Sequence, residues 1–215
     1  MKGASVSRKV VRLTVDNFQA VPAPCRTCLM WELDPVRRTR VAEADALAQK
    51  QAWISEVLRE WGSCGRVVLV NDQPAGYIMY APPAYVPGAD AYPTAPIAPD
   101  AVLLMTAYVA EEHRGGGLGR MLVQGMARDL IGRGGLRAIE CFADAGGKRR
   151  GLLPEGFLSS VGFKTQRPHP MTPRMRMELS TALTWRDEVE LALERLLRAV
   201  RPAPEATRDS LRVTR

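Results

Sequence analysis

The longest apolar run of the chain, Ala101 to Ala110 (AVLLMTAYVA), predicts a central strand covered on both faces. Around it the pattern changes period several times. Residues 9 to 15 (KVVRLTV) alternate imperfectly and are rich in valine, which suits an opening strand. From Val41 to Trp61 the apolar positions Ala44, Leu47, Ala52, Ile54, Val57, Leu58 and Trp61 recur at helical spacing, with Gly62 as a stop. Arg66 to Val70 and Ala75 to Tyr80 flank Asn71-Asp72-Gln73-Pro74 and read as a hairpin. Six prolines between Pro82 and Pro99 predict an irregular loop.

Downstream, Gly117 to Ile131 predicts a helix, Leu136 to Ala143 a strand, and Pro154 to Val161 a short helix ended by Gly162. Phe163 to Gln166 and Arg174 to Leu179 predict closing strands. The order is mixed α/β. After Ser180 the character shifts: Trp185 to Val200 is an amphipathic helix pattern, suited to docking on the domain or pairing with a second copy as a homodimer. Residues 201–215 are polar and basic, with two prolines, and are expected to be disordered. The expected organisation is one principal domain over 1–180, an appended helix over 181–200 and a tail over 201–215.

Charge changes this picture only slightly. With 30 Lys and Arg against 23 Asp and Glu, the net charge of +7 attracts anions such as nucleotides, CoA or nucleic acid. An arginine-heavy, lysine-poor composition also follows from a GC-rich genome, so charge alone selects no ligand. Lys148-Arg149-Arg150 and the basic tail are the residues a nucleic acid would use, and without a recognised motif that partner is disfavoured. The N-terminus carries no hydrophobic signal-peptide segment and no apolar stretch is long enough to span a bilayer, so a cytoplasmic protein off the membrane is expected. Four cysteines, at 25, 28, 64 and 141, are too few for a disulfide scaffold and are expected as reduced thiols.

The candidate chemistry lies where the apolar strand runs into a glycine-rich turn and then a helix. Glycines let the backbone approach a ligand, several N–H groups converge there, and the helix start adds a positive dipole end, an arrangement suited to phosphate. Arg114 and Arg120 add full charges. The turn lacks the Lys-Ser or Lys-Thr of a P-loop and the spacing of a dinucleotide fingerprint. The segment Val109-Ala110-Glu111-Glu112-His113-Arg114-Gly115-Gly116-Gly117-Leu118-Gly119 instead resembles the V-x-P-E-x-R-G-x-G-I/L-G signature of the GNAT superfamily of acyl-CoA-dependent N-acyltransferases, with Glu111 where proline is usual. Pro154 to Phe163, a short helix ending in Gly-Phe, resembles a second feature of that family.

The resemblance implies a mixed, strongly twisted sheet whose fourth and fifth strands, here 101–110 and 136–143, splay apart around the pantetheine arm. It implies that the backbone of Val109 and Ala110 orients the acyl group, and that Arg114, Gly115, Gly116, Gly117, Leu118, Gly119 and Arg120 hold the pyrophosphate of acetyl-CoA or another acyl-CoA. The implied reaction is direct acyl transfer to a primary amine of a small molecule, peptide or protein.

The sequence departs from the family where proton transfer is concerned. Val102 to Met105 are all apolar where some members carry a glutamate, and Leu158 stands where many carry a tyrosine. Glu140 is the replacement general base, with Cys141 and Tyr108 as weaker neighbours. His113 reads as a turn residue and His169 as a surface one. Cys25-x-x-Cys28 has no matching second pair, so no metal site is expected. By family analogy Trp31, Glu32 and Asp34 are candidates for contacting a cationic amine. The missing tyrosine and glutamate leave an alternative open: a non-catalytic acyl-CoA-binding or regulatory module of GNAT-like fold.

Overall fold

The computed structural model describes residues 6–147, 149 and 151–180. The predicted helix 185–200, the tail, Lys148 and Arg150 lie outside the described residues. In chain order the elements are β1 (Arg8–Arg12), α1 (Ala23–Arg26), α2 (Pro35–Arg38), α3 (Ala46–Glu60), β2 (Gly65–Val70), β3 (Gln73–Ala81), β4 (Ala101–Val109), α4 (Leu118–Arg133), β5 (Ala138–Asp144), β6 (Leu153–Pro154), α5 (Glu155–Ser160), β7 (Lys164–Arg167) and β8 (Arg174–Glu178). The sheet runs β1-β2-β3-β4-β5-β8-β7, with β6 attached to β5. All neighbours are antiparallel except β4 with β5 and β5 with β6.

Two helices cover opposite faces of this sheet. Trp53, Ile54 and Val57 of α3 share a core with Val67, Tyr77, Met79, Leu103, Met105 and Phe142. On the other face α4 lies against β1 to β4 and buries Leu122, Val123, Met126 and Leu130. Each such side chain, fully removed from water, contributes about 1.5 to 3 kcal/mol. Alternation along the strands feeds both layers, so β4 is buried from Ala101 through Met105. From Thr106 to Val109 it is only half-buried, because there the sheet opens.

Several elements differ from the sequence expectation in extent. β1 stops at Arg12 because Asn17 folds back, donating to the Arg12 carbonyl at 2.8 Å and accepting from the Thr14 amide at 2.8 Å. The helix expected from Val41 begins at Ala46: Ala42 is extended, and Glu43 to Asp45 form a 3-10 turn. The irregular loop 82–99 contains two short 3-10 turns, Pro83–Tyr85 and Pro87–Ala91. It is pinned across the sheet by Thr94 Oγ1 donating to the Thr172 carbonyl, 3.1 Å, and Arg167 Nη1 donating to the Ala95 carbonyl, 2.7 Å.

Candidate active site

β4 and β5 are paired only from Ala101 to Leu103 and from Ala138 to Glu140, although β4 continues to Val109 and β5 to Asp144. Beyond that seam β5 takes β6 as its partner, at Ala143 with Leu153 and Asp144 with Pro154. The expected divergence of these two strands is therefore present. It opens a cleft of about 670 Å³ walled by the end of β4, the start of α4, and β6 with α5.

A bulge sets what β4 offers to this cleft. Met79 pairs with Thr106 and Tyr80 with Leu104, so Met105 is the extra residue. Leu103, Met105 and Tyr108 consequently all reach the α3 face. Tyr108 lines the cleft, with its ring centroid 6.0 Å from that of Tyr77 on β3.

After Val109 the chain makes a 3-10 turn, Glu111–His113, extends at Arg114 and turns sharply at Gly115 and Gly117, whose φ angles are 76° and 82°. Those angles favour glycine, and a Cβ at either position would meet nothing within 4 Å, so both face open space. Gly117 caps α4 without any side-chain hydrogen bond. The first amides of the helix thus have no internal acceptor and point their dipole end at the cleft. Gly119 has a different reason to be glycine: a Cβ there would lie 2.8 Å from the Phe157 ring of α5.

Three arginines frame the turn. Arg114 Nε donates to the Val109 carbonyl at 3.1 Å. Arg120 Nη2 reaches the Ser160 carbonyl at 2.7 Å and ties α4 to α5. Arg8 Nη1 donates to the Gly116 carbonyl at 2.9 Å. The sequence reading missed Arg8, since its partner lies 108 residues away.

Residues 28–150 match the sequence profile described as the Acetyltransferase (GNAT) family. The chain belongs to that family. No curated protein matches it in sequence. Among solved structures it is similar to one described only as an acetyltransferase, at 16% identity and TM-score 0.54, covering 80% of this chain and 99% of the other. It is also similar to the PaiA N-acetyltransferase of Thermoplasma acidophilum in complex with coenzyme A, at 13% identity and TM-score 0.52, covering 80% and 99%. AAC(6')-Ib in complex with paromomycin and acetyl-CoA is similar at 15% identity and TM-score 0.53, covering 83% and 96%. At such identities these likenesses establish the fold.

The other residues singled out in this GNAT chain are placed less simply. Glu140 is fully buried and does not face the cleft as a base would. Its Oε2 accepts from the Ala98 amide at 3.1 Å, its Oε1 from Arg176 Nη1 at 3.2 Å, and Arg174 Nη1 lies 3.4 Å from Oε2. Strand β8 brings both cations, because Arg176 sits opposite Glu140 and Arg174 opposite Phe142. The expected base is thus held between an amide and two guanidinium groups. Its neighbour Cys141 is buried too, and burial alone pushes that thiol far above its ordinary range. Leu158 fills the core where a tyrosine is usual.

The acceptor candidates are likewise engaged. Glu32 is buried in an ion pair with Lys50, whose Nζ also donates to the Cys28 carbonyl at 2.8 Å. Asp34 caps α2, accepting from the amides of Val36 and Arg37, both at 2.9 Å, and the Arg37 amide chiefly holds its carboxyl below the usual range. Trp31 is buried, stacked on Tyr92 at 5.2 Å and on Phe142 at 6.0 Å. Of the two carboxylates, Asp34 is occupied as a cap, and Glu32 is buried with Oε1 on Lys50 and Oε2 without a hydrogen-bond partner.

Cys25 is half-buried and Cys28 exposed, both as free thiols. Among the described residues no three His, Cys, Asp or Glu side chains gather to hold a metal. His113 lines the cleft, while His169 Nδ1 accepts from the Thr172 amide at 3.0 Å and shapes the turn before β8. Among the described residues no helix is long and apolar enough to cross a membrane.

Proposed function

We propose that this chain transfers an acetyl or related acyl group from CoA to a primary amine by direct attack. The observation that carries the reading is the uncapped start of α4, set beside an open glycine turn at the mouth of the β4/β5 cleft. Unpaired amides at a helix start suit a pyrophosphate, and the narrow divergence of two strands suits a pantetheine arm. When bound, acyl-CoA supplies a thioester carbonyl activated toward amines.

The chain's own residues then hold and orient. The amides from Arg114 to Arg120 would hold the phosphates, with the Arg114 and Arg120 side chains adding charge. The backbone of Val109 and Ala110 fixes the arm and acyl group, which places the carbonyl for attack and supplies most of what positioning can contribute. Tyr108 is the proton-carrying side chain at the end of β4, suited to protonating the departing thiolate. The free cysteines suit a reducing cytoplasm.

Calorimetric titration with acetyl-CoA tests the reading, using wild type and Gly117→Trp, with circular dichroism confirming that the variant is folded. Saturable binding by wild type, lost in the folded variant, is the expected outcome; a wild type that does not bind overturns it. The second reading, a non-catalytic acyl-CoA-binding module, draws on the engagement of Glu140 in an ion-pair network and on Leu158. Binding without acyl transfer to any member of a broad amine panel favours it.

A further inference from the structure

On the side of the glycine turn that faces β1, a second pocket of about 330 Å³ is lined by Arg8, Asn71, Glu112, His113 and Arg114, among others. It shares His113, Arg114 and Leu118 with the main cleft, so the two are continuous around the turn. We propose that this pocket is a phosphomonoester subsite, and that Arg8 in it takes the 3′-phosphate of the CoA ribose. The inference rests on the CoA reading above and extends it to a residue outside the glycine signature.

Arg8 is held in place from both ends. Its backbone opens β1 directly after Ser7, and Asn71 clamps Ser7 twice: the Ser7 amide donates to Asn71 Oδ1 at 3.0 Å, and the Asn71 amide donates to the Ser7 carbonyl at 2.9 Å. Its guanidinium spends one Nη1 donor on the Gly116 carbonyl, 2.9 Å, and Nη2 lies 3.7 Å from where a Gly116 Cβ would stand. The planar fork therefore rests against the turn itself. A guanidinium carries five N–H donors in fixed geometry, which matches the oxygens of a phosphate better than a lysine would.

Charge favours the same ligand. Arg8 and Arg114 contribute two permanent cations to the lining and Glu112 one carboxylate. A phosphate monoester has its second pKa near 6 and is largely dianionic at neutral pH, so it gains most from such a site. In CoA the monoester is one ribose away from the pyrophosphate. A cationic pocket that shares a wall with the proposed pyrophosphate turn accommodates that arrangement.

The test is calorimetric titration of wild type and Arg8→Gln with CoA and with 3′-dephospho-CoA, at one fixed salt concentration. Arg8 is exposed, so its replacement leaves the fold intact, and a melting curve verifies this. Wild type is expected to bind CoA about tenfold or more tightly than dephospho-CoA, the order of one charge-assisted hydrogen-bond pair. In Arg8→Gln that ratio is expected to fall to near one, because CoA loses more affinity than dephospho-CoA does. A wild-type ratio near one overturns the proposal, as does a ratio that survives in Arg8→Gln. If wild type binds dephospho-CoA well but shows no preference, the subsite fails while the CoA reading stands. If it binds neither, both fail.

Discussion

The amide of Ala98 donates to Oε2 of Glu140 at 3.1 Å, so a strand carboxylate holds down the end of the proline-rich loop. The same carboxylate pairs with Arg176, which in turn grips Asp100 through both of its terminal nitrogens, at 3.0 and 2.9 Å. Loop, β5 and β8 are thereby joined through one buried charge. Glu140→Ala is expected to cost about 3 to 5 kcal/mol, since it leaves the buried Arg174 guanidinium without its carboxylate. Chemical denaturation measures this. Activity per folded molecule should stay within a few-fold of wild type, whereas a catalytic base would lose far more.

Tyr108→Phe removes the phenolic proton and keeps the ring that lies against Tyr77. The expected result is a fall in kcat of about a hundredfold with KM for acetyl-CoA unchanged, in the ordinary range for general acid catalysis. Steady-state kinetics over a pH series checks it. Equal loss in kcat and in cofactor affinity would point to a packing role instead.

Gly119→Val places branched carbon against the Phe157 ring, where even a Cβ would lie at 2.8 Å. The ring must move, and α5 with it. Affinity for CoA is expected to drop by about tenfold or more, with a destabilisation of about 1 to 3 kcal/mol, as overpacking typically costs. Calorimetry and thermal melts separate the two effects.

Asp129 offers a test by pH. Burial opposes its charge, but Arg133, the Tyr80 hydroxyl and Arg66 outweigh that burial and hold the carboxyl below its ordinary value. A depressed folded pKa means stability that is complete above the unfolded value, about 3.9, and is lost as pH falls through the folded one. Asp129→Asn should therefore lose stability at neutral pH and show a shallower decline below about pH 4. Urea midpoints measured from pH 3 to 7 record both.

What the sequence disclosed was what depends on local order. The run Ala101 to Ala110 followed by glycines states its own role, since continuous burial and positive φ leave few other readings. Asp34-Pro35 carried a local signal that went unused, an N-cap before a helix-opening proline, which accounts for α2. Glu140, Glu32 and Arg8 were illegible for the opposite reason. Their meaning lies in Arg176, Lys50 and Gly116, which are 36, 18 and 108 positions away. A carboxylate in a strand looks the same in sequence whether it meets a substrate or a guanidinium.

The three-residue seam between β4 and β5 leaves the sheet as two leaves, β1 to β4 and β5 with β8 and β7, sharing a short spine. A molecule lodged between the leaves and gripped on both sides acts as a rivet for the whole sheet, so its binding free energy is returned as global stability. Amide exchange along Ala138 to Glu140 should then slow in the presence of acyl-CoA, although none of those amides lines the cleft. Occupancy of the site and cohesion of the fold are, in this molecule, one property read at two places.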